Sequence, residues 1–257
     1  MPKIDNCNIY IRQISLIFFL VFFFSDFGLS AENVTLQLRW DHNFQFAGYY
    51  AAKWEGYYDE RGLDVEIKTA VERNGSILSS VKEVGAGLAE FGIGAADILL
   101  ANDEKQNLFI LASIFQQSPV EFYAPKSVGL NSPVDLQNLK VSRRKGDLVD
   151  IEFQAMLKAE GIDPETIKPF PFDQAKGYLA QMLNGRIDVI PGYKIGTPHE
   201  AEKQGIELSR LKPIDYGIDF YGDSLFTSKK MIQDKPEIVK AFLEASLKGW
   251  EYALENP

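Results

Sequence analysis

Residues 34–67 read VTLQLRWDHNFQFAGYYAAKWEGYYDERGLDVEI, and the period of their pattern changes along the run. Val34, Leu36, Leu38 and Trp40 alternate with Thr35, Gln37 and Arg39, the two-residue period of a strand. Trp40 opens a loop that holds Asp41, His42, Asn43 and Gln45. Phe46, Tyr50, Trp54 and Tyr57 then follow at helical spacing, Gly56 interrupts them, and Gly62 fits a helix stop. Val65 and Ile67 begin a second strand. A strand that feeds an aromatic, amide-bearing loop into a helix is suited to holding a small molecule. The competing reading is that the aromatics fill a core, which is what aromatics most often do.

Outward from this unit the alternation repeats. Ile77, Leu78, Val81 and Val84 share a helical face, and Phe91 and Ile93 make a short strand that runs into Gly94-Ala95-Ala96-Asp97. Small residues there allow a ligand close to backbone N–H groups, or simply form a tight turn. LFILASIF (108–115) reads as a strand buried on both faces. A second set follows: strand 139–142, polar loop 143–147, helix 148–160, a helix capped by Asp173, strand 187–190 and strand 206–208. The last element is a helix with Pro236 in its first turn.

Strands alternating with helices predict an α/β chain with mainly parallel sheets. Extended segments near 120–124 and 218–221 predict two lobes crossed twice, lobe 1 from 32–120 plus 222–257 and lobe 2 from 121–221, with the crossings as hinge. Ligand sites in such folds lie beyond the C-terminal ends of strands, here the loops 40–45, 94–97, 143–147 and 192–197.

The chain has 257 residues and a net charge of −9, which argues against nucleic acid as a partner. The basic run 143–145 reads as solvated surface. Lys3 and Arg12 precede an apolar run, ISLIFFLVFFF (14–24), followed by small residues at Gly28, Ser30 and Ala31. That order predicts a signal peptide over 1–31 and a periplasmic mature protein; an uncleaved anchor is the alternative. The single cysteine, Cys7, precedes the apolar run, so the mature chain carries neither disulfides nor thiolate chemistry.

The run WDHNFQFAGYYAAKWEGYYDERGLDV (40–65), with AEFGIGAA (89–96), LNGRIDV (183–189), YGDSLFTS (221–228) and the C-terminal KPEIVKAFLEASLKGWEYALENP, resembles the NMT1/THI5-like family, also called the SsuA/THI5-like domain. The resemblance implies a two-lobed periplasmic binding protein fold of the type with two crossovers. It implies a cleft for a thiamine pyrimidine precursor or another small solute. Family members deliver ligand to an ABC permease, or serve as sensing modules fused or adjacent to a histidine kinase or diguanylate cyclase. An enzymatic branch, thiamine pyrimidine synthase, uses its own lysine and histidine together with pyridoxal phosphate and iron. The positions of that lysine and histidine fall here at Gly94 and Ile98, and the branch's cysteine-rich segment, near 216–228, has no cysteine. The expectation is therefore binding without turnover and without a cofactor. His42 and His199, the only histidines, have no partnered base in the sequence pattern. An Asn-Glu-Pro step that sensor-type members carry after the Gly-Tyr pair is replaced by Gly196-Thr197-Pro198.

The expected ligand is a small, flat, polar heterocycle. Trp40 and Tyr193 would stack on it, and Asn43, Gln45 and Asp223 would hydrogen-bond it. The Gly94-Ala95 backbone would let it lie close, and His42 and Asp147 complete the candidate set. A sensor module is the alternative, since family chains continue beyond a helix ending like 255–257.

Overall fold

The alternation that opens at Val34 is realised in the computed structural model, which describes residues 31–73, 75–103, 107–145, 147–171 and 177–256. The expected signal peptide, Gly146 and the Asp173 cap lie outside the described residues. In chain order the strands are β1 (Glu32–Gln37), β2 (Leu63–Lys68), β3 (Phe91–Gly94), β4 (Leu108–Ser113), β5 (Val120–Pro125), β6 (Ile190–Tyr193), β7 (Leu208–Leu211) and β8 (Ser224–Ser228). The α-helices are α1 (Ala47–Trp54), α2 (Ser80–Gly85), α3 (Ala96–Asp103), α4 (Leu148–Ala159), α5 (Tyr178–Leu183), α6 (Thr197–Lys203), α7 (Lys229–Asp234) and α8 (Pro236–Glu255).

Two sheets form, ordered β2-β1-β3-β8-β4 and β6-β5-β7. The pairs β1–β2 and β1–β3 are parallel, as right-handed strand–helix–strand units require. The strands on either side of the crossings, β4, β5 and β8, pair antiparallel with their neighbours. The expected mainly parallel sheets hold only for the local units. A strand delivered from the other sheet is free of the local crossover that forces parallel pairing.

The chain passes between the sheets through residues 114–119 and 212–223. The extended run 120–124, read from sequence as the first crossing, is instead the central strand of the second sheet. The two crossings lie side by side: Ser118 N–H donates to the Phe220 carbonyl at 2.7 Å, and Gly222 N–H to that of Phe115 at 2.8 Å.

The first sheet's core is aromatic. Phe46, Tyr49, Tyr58, Phe91 and Phe242 are all buried, and the Phe91 and Phe242 rings stack with centroids 3.9 Å apart. Helix α8 lies on α1 at a glycine contact: a Cβ on Gly249 would collide with the Gly48 carbonyl, and one on Gly48 with the Trp250 ring. Tyr50 and Tyr57 pack against this core, but Trp54 is 76% exposed, on the far side of α1. The second sheet has its own core around Phe122, Phe153, Met156 and Leu157. Strand β4 corrects a further expectation. It is an edge strand paired only with β8, so Phe109 and Ile110 are exposed rather than buried on both faces. Among the described residues no helix is long and apolar enough to cross a membrane.

Candidate functional site

A cavity of about 860 Å³ opens between the two sheets. Its first wall is the segment after β1. There Asn43 caps the 3-10 turn Phe44–Phe46, its side-chain oxygen accepting from Gln45 N–H at 2.8 Å. Trp40, Asn43 and Gln45 line the cavity here, with Arg39 beside them.

Beneath that wall lies Asp223, at the end of the second crossing. Its carboxylate accepts from Gln45 Nε2 at 2.6 Å, Arg39 Nη1 at 3.2 Å and the Tyr193 hydroxyl at 3.4 Å. Arg39 and Gln45 belong to the first sheet's side and Tyr193 to β6, so one carboxylate ties both walls together. Burial pushes the Asp223 carboxyl up, and Arg39 and the hydrogen bonds pull it back. Burial likewise raises the Tyr193 phenol, which stays a donor.

The second wall is built by the loop before α4 and by β6 with α6. Asp147 caps α4, accepting from Asp150 N–H at 2.8 Å, and burial raises its pKa. Arg143 is buried, with Nε donating to Asp150 Oδ1 at 2.6 Å and Nη1 to the carbonyls of Pro164 and Ile167. Its guanidinium lies 4.9 Å from the Phe153 ring, and Nη2 has no partner among the described residues. The basic run 143–145 is thus not simply solvated surface: the helix that follows carries Asp150 and Phe153 to the first arginine. Arg144 reaches over the Trp40 ring, 5.9 Å from its centroid, so that ring turns a face to the opposite wall.

Of the residues singled out in the sequence, Trp40, Asn43, Gln45, Asp147 and Tyr193 line the cavity. His42 does not. It is exposed, and its Nδ1 pairs with the Tyr50 hydroxyl, whose ring lies edge-on to it. Gly94 and Ala95 are buried at the end of β3 and do not line it either, although Asp97 of the same turn does. A Cβ on Gly94 would lie 2.7 Å from Ile98, so this glycine serves packing between β3 and α3. Asp223 lies under the lining, not in it. The loops read from sequence as site loops carry Asp97, Arg143 and Arg144, whose side chains were not singled out, and sequence reasoning passed over Arg39, Tyr178 and Glu200; all six line the cavity. Arg39 directly precedes Trp40 at the strand end, a signal available in the sequence. Glu200, in α6, brings a carboxylate to the wall where the expected Asn-Glu-Pro step is missing. Gly192 is required here, because a Cβ would collide with Thr197 at the start of α6. Among the described residues no group of three or more His, Cys, Asp or Glu side chains is placed to hold a metal ion.

The profile of the NMT1/THI5-like family matches residues 43–257, which includes the second wall, both crossings and the first wall from Asn43 onward, but not Arg39 and Trp40. The chain belongs to the NMT1/THI5-like family. Within it, this NMT1/THI5-like chain is 28% identical to the riboflavin-binding protein RibY of Chloroflexus aurantiacus, covering 88% of this chain and 64% of the relative. It is 28% identical to the formylaminopyrimidine-binding protein of Halalkalibacterium halodurans, covering 88% and 68%. Synthases of 4-amino-5-hydroxymethyl-2-methylpyrimidine phosphate stand among the more distant relatives. In three dimensions the chain superposes on the sulfonate-binding protein SsuA of Methylobacillus flagellatus, with a TM-score of 0.62 and 19% identity over 87% of this chain and 69% of that one. The fold is the two-lobed periplasmic binding protein fold. The NMT1/THI5-like chain spans about two thirds of the length of these two binding relatives.

Proposed function

We propose that the chain is a periplasmic solute-binding protein that takes a small, flat, polar heterocycle into the cleft, a thiamine pyrimidine precursor, and hands it to an ABC permease. The observation that carries this reading is the pair of opposed walls: Trp40 turns a ring face across the cavity toward Arg144, and Tyr193 stands on the other side. A mostly apolar cleft with a few convergent polar groups is how small-molecule sites are built, and 860 Å³ lies within their range. Arg143 Nη2, buried without a partner, offers a donor for a ring nitrogen or carbonyl.

The reading is binding and not turnover. A Schiff base needs a lysine amine, and the β3–α3 turn offers Gly94 packed on Ile98. The relatives that bind riboflavin and formylaminopyrimidine support the ligand class. Calorimetry with a formylaminopyrimidine, riboflavin and an alkanesulfonate tests it. The formylaminopyrimidine is expected to bind with a Kd in the range of about 1 μM or tighter. Tighter binding of the alkanesulfonate would overturn the ligand class. Conversion of pyridoxal phosphate and an enzyme histidine to a pyrimidine, seen by mass spectrometry, would overturn the non-enzymatic reading.

A further inference from the structure

A second cavity, of about 380 Å³, lies at the two crossings, and among the described residues it shares no lining residue with the cleft. Ser118 of the first crossing and Pro213, Ile214 and Ile218 of the second line it, so both hinge segments face one space. Glu152 of α4 lines it from below. This side chain is fully buried; Oε1 accepts from the Ser118 hydroxyl at 2.7 Å, and Oε2 has no hydrogen-bond partner among the described residues. A buried carboxylate oxygen left unpaired is costly, and the cost is removed by a proton or by a donor brought in from outside.

Of the other charged side chains in the lining, three are cationic and one, Glu121, is acidic. Lys194, Arg210 and Lys212 stand around the same space, with Arg210 Nη1 3.8 Å from Glu121 Oε2. Glu121 is occupied, since it also accepts from the Tyr123 hydroxyl at 2.9 Å. The cavity therefore combines one unsatisfied buried acceptor with a cationic rim.

We propose that this cavity is a second small-molecule site, for an amino-acid-like zwitterion whose ammonium meets Glu152 and whose carboxylate meets Arg210 and Lys212. The site is independent of what fills the cleft. Burial raises Glu152 to about 7, and the ionisable groups around it are Arg39 and Tyr193 from the cleft side and Glu121, Lys194, Arg210 and Lys212 around the cavity. An ammonium at Oε2 favours the ionised form, so binding near neutral pH releases part of a proton.

Isothermal titration calorimetry tests the proposal on the whole chain, with glycine, β-alanine and γ-aminobutyrate as probes and butylamine and butyrate as half-molecules. At least one amino acid is expected to bind about tenfold tighter than either half-molecule, with proton release visible as heat that changes between buffers of different ionisation enthalpy. Glu152→Gln is expected to lose about tenfold in affinity and the buffer-dependent heat, and Arg210→Ala, at the exposed rim, several-fold. Trp40→Ala, in the cleft, leaves this binding within about twofold. The proposal is overturned if none of the amino acids gives saturable heat up to about ten millimolar, or if a half-molecule binds as tightly as the zwitterion. Binding that survives Glu152→Gln, or is lost in Trp40→Ala, also overturns it.

Discussion

Two buried carboxylates stand on either side of the hinge, and their surroundings differ. Asp223, under the cleft, has three donors from three parts of the chain. Glu152, under the hinge cavity, has one, and an oxygen left over. Equal burial thus has opposite consequences. Around Asp223 the charge is matched, and the carboxylate becomes a strut that fixes Arg39 and Gln45 in one cleft wall and Tyr193 in the other. Around Glu152 the charge is under-matched, and the group is left to take a proton or a ligand. The contrast separates a structural acid from a responsive one.

The largest effect is expected where the matched site is broken. Asp223→Ala leaves the partly buried Arg39 without its counter-ion and should cost about 1.5–3 kcal/mol of stability, read by chemical denaturation. A loss under 1 kcal/mol would show that the strut is not one. Next comes the under-matched site. Glu152 is raised from 4.5 to about 7, so its proton stabilises the folded state fully below pH 4.5, and that contribution is lost as pH rises through about 7. Glu152→Gln keeps the protonated shape and should therefore stabilise the protein at pH 8 by up to roughly 3 kcal/mol. The gain should vanish near pH 4.5; a gain independent of pH would mean that the charge is not its cause.

Smaller effects test the cleft itself. Trp40→Ala should leave the fold intact and weaken heterocycle binding by about 1.5–3 kcal/mol, from lost contact area and stacking. Loss of folding instead would return Trp40 to the core. Arg144→Ala removes the guanidinium from above that ring and should cost about 0.5–1 kcal/mol of affinity, mostly in the dissociation rate.

What the sequence disclosed and what it hid follow one physical line. The period-2 run at Val34–Leu38 and the Gly62 stop depend on neighbours a few residues away: β1 forms over that run and Gly62 is a left-handed cap, although it closes a separate 3-10 turn, Asp59–Arg61, because the α-helix already ends at Trp54. The roles of Asp223 and Arg143 depend on distant or folded partners. Asp223 meets Gln45 from 178 residues away, and Arg143 is buried only because α4 returns Asp150 and Phe153 to it. Strand β4 looked doubly buried because its apolar run has no marker of edge position; only the sheet order places Phe109 and Ile110 outside. The first crossing was misplaced for a related reason, since an extended run reads the same as connector or as strand. The loops beyond the strands were legible as a group. Which of their side chains face the cleft was not: His42 and Asn43 are neighbours, yet only Asn43 lines it.

A crystal structure of the chain grown with a formylaminopyrimidine would test the central reading most directly. The prediction is a flat ring in the cleft between Trp40 and the second wall, with a ring nitrogen or carbonyl within hydrogen-bond distance of Arg143 Nη2. A ring bound away from Trp40, or a cleft that takes up an alkanesulfonate from an equal mixture instead, would contradict it.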